Sequence, residues 1–171
     1  MIKTRTFIAV FGLITALFAA PSNVRAEQPL GQFGDWEAFT EREGKNLLCY
    51  MASIAKKARG NYKRRGTTYV MVTHRPSERS TNVLSVEAGY TYKKDSEVEL
   101  VIGKKTTKLF TSGTTAFAYD SKTDNALVKA MIRGAGMTIK GTSSKGTLTT
   151  DTYSLKGFTA AYKAISGACK V

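Results

Sequence analysis

Few side chains in this chain of 171 residues combine the type and the spacing that chemistry needs. Glu97 and Glu99 are two apart, so on a strand they would share a face at about 6–7 Å, which suits a pair of hydrolytic carboxylates. Val98, Leu100 and Ile102 alternate with them, though, and that is the ordinary pattern of a strand with one wet face. Ser143 and Lys145 have the types of a Ser–Lys dyad. Such a lysine must be buried to lose its proton, and this one stands in the Gly-flanked run Gly141-Thr142-Ser143-Ser144-Lys145-Gly146. His74 is the single histidine, next to Arg75-Pro76, where neighbouring positive charge would disfavour protonation. One His and two Cys exclude a multi-ligand His/Cys metal centre. No G-x-S-x-G and no phosphate-cradling glycine loop occurs. The expectation is a protein that is not an enzyme and needs no metal and no cofactor.

What the sequence concentrates is positive charge. Lys and Arg number 26 against 13 Asp and Glu, a formal net charge of +13. Six basic residues fall between positions 56 and 65: Lys56, Lys57, Arg59, Lys63, Arg64 and Arg65, with Tyr62 among them. Gly60 and Asn61 suggest a loop tip between two core strands. A dense charge run is usually a solvated loop, yet like charges on one short segment repel, and an anionic partner relieves that. Arg75, Arg79, Lys93 and Lys94 would add to the same field. The Phe33-Gly34-Asp35-Trp36 segment could be a recognition patch; its plainer reading is a buried aromatic that pins the N-terminal segment to the core.

The N-terminus determines which anions are within reach. Lys3 and Arg5 form a charged start, Phe7 to Ala20 is a nearly unbroken apolar run, and Val24-Arg25-Ala26 ends in a small residue. That order is a secretory signal peptide over residues 1–26, cut after Ala26. The run is too short for a bilayer span, which needs about 20 apolar residues, and no second stretch could cross. The remaining residues, 27–171, read as one β domain. Outside the cytoplasm the available polyanions are lipopolysaccharide phosphates, anionic lipids and host glycans. Nucleic acid fits the charge equally well but is little met there. Expected locations are the periplasm, the outer membrane surface or the medium of a Gram-negative bacterium. Export also agrees with the cysteines. Cys49 and Cys169, an even count, suggest a disulfide closing a long loop, worth up to roughly 5 kcal/mol in the chain-entropy model. The rival reading, a redox pair, normally has C-x-x-C spacing.

The elements that must position these residues are mostly short strands. Leu47-Leu48-Cys49-Tyr50-Met51 and Tyr69-Val70-Met71-Val72-Thr73 are apolar enough to be central, and Asn82 to Ala88 partly alternates. Glu97 to Ile102, Gly103-Lys104 and Lys105 to Phe110 read as a hairpin. Two segments are helical: about 124–133, with Asp124 as the N-cap candidate and Leu127, Met131 and Ala130 on one face, and about 155–167, where Phe158, Ala161, Tyr162, Ile165 and Cys169 recur at three and four. The expected fold is mainly β, a single-domain β-sandwich or flattened barrel with two short helices.

In order along the chain, Gln32-Phe33-Gly34-Asp35-Trp36, Cys49-Tyr50, Arg65-Gly66-Thr67-Thr68-Tyr69-Val70-Met71-Val72-Thr73, Glu87-Ala88-Gly89-Tyr90, Met137-Thr138-Ile139-Lys140-Gly141 and Thr150 to Ala161 followed by Cys169 resemble the invasion-associated locus B family. The resemblance implies an exported envelope protein, some members of the family being linked to entry into host cells. It implies no enzymatic activity and offers no catalytic or ligand residues to transfer. Three functions follow as expectations. The first is an exported, non-enzymatic protein that binds an anionic envelope or host-surface partner through Lys56 to Arg65. The second is a structural or chaperone-like module docking proteins by a sheet edge. The third is a periplasmic hydrolase using Ser143/Lys145 or Glu97/Glu99.

Overall fold

The computed structural model describes residues 27–171; the expected signal peptide lies outside the described residues. The class is as expected, mainly β with two helices. The strands are β1 (Gln28–Phe33), β2 (Trp36–Glu43), β3 (Asn46–Ile54), β4 (Lys57–Gly60), β5 (Tyr69–Arg75), β6 (Ser80–Glu87), β7 (Glu97–Ile102), β8 (Lys105–Ser112), β9 (Thr115–Phe117), β10 (Gly136–Thr142) and β11 (Leu148–Ser154). The helices are α1 (Ser121–Arg133) and α2 (Phe158–Cys169). All eleven strands join one open antiparallel sheet in the order β1-β2-β3-β5-β6-β9-β8-β7-β10-β11-β4.

That order conceals a near-closure. β4 is the continuation of β3, yet it sits at the far edge of the sheet. Two hydrogen bonds mark the crossing: Ala55 N–H donates to the Thr68 carbonyl beside β5 at 3.1 Å, and Lys56 N–H donates to the Thr152 carbonyl of β11 at 2.8 Å. The sheet therefore curls until its β11 side meets the chain leaving β3. Curling of this kind is what strand twist produces in a long antiparallel sheet, and it encloses one core.

The expected hairpin is present, with Ile102 opposite Lys105 and Val98 and Leu100 turned into the core. Both helices differ from expectation at their starts. Asp120, not Asp124, caps α1, its carboxylate accepting the Thr123 N–H at 2.7 Å. Asp124 lies in the first turn, buried, and accepts the Leu84 N–H of β6 at 2.9 Å. A carboxylate in the first turn suits the helix dipole as well as a cap does, so spacing alone could not separate the two. α2 begins at Phe158 because Gly157 takes a left-handed φ of 91°. A Cβ there would collide with the Phe33 carbonyl, so this glycine permits the β1–β2 turn to lie directly on the helix start.

Trp36 fulfils its plainer reading. It is fully buried, meets Phe158 edge-to-face at 4.9 Å and donates its Nε1–H to the Ser154 carbonyl at 3.0 Å. Cys49 and Cys169 form the expected disulfide, linking β3 to the end of α2 across 120 residues with Cα atoms 6.0 Å apart. His74 is buried beside it. Its Nδ1 accepts the Asn82 N–H at 3.0 Å, its Nε2 meets the Ser166 hydroxyl at 3.2 Å, and Cys169 Sγ approaches its carbonyl. The imidazole is held neutral, as expected, but by burial rather than by neighbouring positive charge.

Candidate functional site

The basic run is not one loop but three structural situations. Lys56 is the corner residue, and its ammonium pairs with Asp35 at 2.5 Å. That pair holds the Asp35 carboxyl below its usual range. Lys57 and Arg59 stand on β4, opposite Thr152 and Thr150, with every residue of that strand exposed. Only Asn61 to Thr68 is irregular chain leading back into β5. Lys57, Arg59, Lys63 and Arg64 make no ion pair among the described residues.

Arg65 departs from its expected place among the free cations. Its guanidinium turns inward and grips Asp151 of β11 through two hydrogen bonds of 2.6 Å, the two side chains only 4% and 3% exposed. Its Nε–H also donates to the Ala88 carbonyl at 2.7 Å, and its plane lies over Tyr90 at 4.8 Å and Tyr62 at 5.5 Å. Burial works against the charge, but the Asp151 contacts outweigh it and raise the pKa above the ordinary arginine value. A bidentate fork between tyrosine rings is what arginine does and lysine cannot.

Around this pair lies a polar network. Tyr90 hydroxyl meets Thr149 Oγ1 at 2.6 Å, and Tyr153 hydroxyl meets Thr68 Oγ1 at 2.8 Å. Burial pushes the phenols of Tyr90, Tyr92 and Tyr153 up, so all three stay protonated. Gly66 and Gly89 let two backbones meet here: Gly66 N–H donates to the Gly89 carbonyl at 2.9 Å, and a Cβ on Gly89 would strike the Gly66 carbonyl. The irregular segment is thus fixed at its end by backbone, ion pair and rings together.

Fixing it opens a groove of about 580 Å³ between residues 61–65 and the turn at 143–147, with Tyr90, Thr91 and Thr149 completing its lining. Lys63, Arg64 and Lys145 line it alongside the paired Arg65, and no Asp or Glu does. Lys93 and Lys94 join on this side, since Tyr92 bridges to Ser143 and Lys93 N–H donates to the Thr142 carbonyl at 2.9 Å. Arg75 and Arg79 do not. Arg75 ends β5, roughly 20 Å along the strand from Tyr69, and pairs with Glu43 and Glu78.

The hydrolytic pairings find no support in the geometry. Ser143 Oγ accepts the Thr147 N–H at 3.1 Å, while Lys145 is exposed at the tip of the turn and keeps its hydration. Glu97 binds Lys108 and the Tyr119 hydroxyl, and Glu99 lies 3.9 Å from Lys140. Sequence reasoning missed the Arg65–Asp151 pair, 86 residues apart, and with it the groove. The only signal was that both residues sit inside segments carrying the family resemblance.

Fold and site together define a mainly-β protein with one curled sheet, a disulfide at one end and a basic groove at the other. The chain belongs to the invasion associated locus B (IalB) family, whose sequence model matches residues 36–166. No curated protein and no solved structure matches it. The family is not a known enzyme family, and its proteins are typically exported. No described helix is long and apolar enough to cross a membrane.

Proposed function

We propose that this chain is an exported, non-enzymatic binding protein that contacts an anionic partner on the bacterial envelope or a host surface. The contact is made by Lys57, Arg59, Lys63 and Arg64, with Lys56 at the corner and Arg65 as the internal anchor. The observation that carries this reading is the division of labour within the run. One arginine is buried and paired, while four neighbouring cations project without ion-pair partners among the described residues. Held close together, those cations repel one another, and a polyanion relieves the repulsion. Lipopolysaccharide, anionic lipid and anionic glycan all have the needed chemistry; the periplasm, the outer membrane and the cell exterior all present it. The family's description adds host-cell interaction to these settings.

Docking by a sheet edge has less behind it. β4 is four residues long, carries Lys57 and Arg59, and its Ala58 carbonyl is taken by the Tyr62 hydroxyl at 2.9 Å. β1 contains Pro29 and a register shift before Gly31. Short, charged, bulged and proline-bearing edges are how sheets avoid strand addition.

The test is co-sedimentation with vesicles at low salt. The unaltered protein should sediment with anionic vesicles and not with zwitterionic ones, and Lys63→Glu/Arg64→Glu should stay in solution. Equal sedimentation of the double variant would overturn the proposal.

A further inference from the structure

We infer that the groove between residues 61–65 and 143–147 is a subsite for a phosphorylated saccharide, which names the ligand class for the basic-segment reading and rests on it. Three properties of the lining select that class. First, Lys63, Arg64 and Lys145 bring positive charge from both walls, with no carboxylate to oppose a dianion. The charge of Arg65, spent on Asp151, is not needed for the ligand.

Second, the wall opposite the 61–65 segment is rich in hydroxyls. Thr91, Ser144 and Thr147 line it, and their hydroxyls make no hydrogen bond among the described residues, whereas Ser143 and Thr149 are occupied holding the turn and Tyr90. Free hydroxyls at fixed positions match the alternating donors and acceptors of a sugar ring. Third, the only rings in the groove are those of Tyr62 and Tyr90, each with one face toward the Arg65 guanidinium, and no Leu, Ile, Val, Met or Phe lines it. An acyl chain would find no aliphatic wall, while a sugar face can lie on a tyrosine ring. The volume, about 580 Å³, falls within the usual range for small-ligand sites.

The phosphate is placed at the cationic rim, where arginine's planar fork and two ammonium groups can share a tetrahedral dianion. The sugar ring lies toward Ser144 and Thr147. The saccharide can come from an envelope glycolipid headgroup or from a free oligosaccharide, since both offer the same face.

Amide chemical shifts of the purified, oxidised protein provide the test, with glucose 6-phosphate, glucose and inorganic phosphate as probes at one ionic strength. Glucose 6-phosphate should shift amides of residues 61–65 and 143–147 and bind at least about fivefold more tightly than inorganic phosphate, the gain expected from one or two hydroxyl contacts. Ser144→Ala/Thr147→Val should erase that gain and leave phosphate binding unchanged; Arg64→Glu should remove both. Equal affinity for phosphate and glucose 6-phosphate would overturn the saccharide inference while leaving the basic-segment reading standing. Shifts confined to other residues, or no binding of either, would also overturn it. Sedimentation lost in the vesicle test as well would bring down both. Comparing intact lipopolysaccharide with its delipidated oligosaccharide separates the two sources. Equal affinities support the groove as a sugar site fed by either, and binding that requires the acyl chains contradicts it.

Discussion

Two links between distant residues close the two ends of this sheet, and they differ in kind. At the end of β5 that carries His74, its ladder partner Cys49 is joined covalently to Cys169 at the C-terminal end of α2. At the other end, just before Tyr69, Arg65 and Asp151 are joined by an ion pair among tyrosines and threonines. The first link belongs to the buried core, with His74 hydrogen-bonded beside it. The second is a costly way to hold a chain, because burying two charges rarely yields more stability than apolar residues of similar volume. What it achieves is position: it fixes one end of a segment whose other cations remain free. On the proposed function, stability is concentrated at the covalent end and recognition at the ionic one.

Breaking the covalent link should have the largest effect on stability. Reduction removes the constraint on a 120-residue separation, worth up to roughly 5 kcal/mol, and should lower the melting temperature by many degrees in calorimetry. An unchanged melting curve would show that α2 is held by packing alone. Breaking the ionic link should come next. Arg65→Ala strands a buried Asp151 carboxylate and should cost about 3–5 kcal/mol in denaturant titration. The double variant Arg65→Met/Asp151→Leu should recover most of that stability yet still weaken anion binding, because the Ala88 and tyrosine contacts that position the segment are gone. Recovery of both would mean the pair is structural only.

A smaller effect separates the ends by pH. Burial lowers the His74 pKa in the folded protein, so the unfolded chain binds the proton first as pH falls. His74 therefore favours the fold above its unfolded value near 6.5 and costs stability as pH drops below it. Stability measured between pH 7 and 5 should fall, and His74→Gln should flatten that slope. The smallest effect on stability belongs to the free cations. Arg64→Glu should change unfolding free energy by no more than about 0.5 kcal/mol while abolishing binding, and a large loss of stability would place Arg64 in the scaffold instead.

The covalent end was readable from the sequence because its signals are local or few. Two cysteines leave one pairing, and the 3–4 spacing from Phe158 to Cys169 states which face of α2 is buried. The hairpin at Gly103-Lys104 was readable for the same reason. The ionic end was not. Apart from opening a segment that carries the family resemblance, Arg65 has nothing nearby to distinguish it from Arg64, since its inward turn is decided by Asp151, Tyr90 and Ala88, which reach it only when β11 and β6 are in place. Likewise, β4 reads as loop because its ladder partner lies about ninety residues ahead, and its short, charged sequence has no strand signal of its own. Charge composition could single out the segment, but only the fold could show which of its cations are unpaired among the described residues.

Whether these cations are the working surface is decided by retention on the outer-membrane fraction. The purified, oxidised protein and Lys63→Glu/Arg64→Glu would be compared at roughly 50 and 500 mM salt, across which the Debye length shrinks severalfold. The unaltered protein should be retained at low salt and lost at high salt, and the variant should be retained at neither. Retention of both proteins at both concentrations would contradict this and point to an apolar or sheet-edge contact instead.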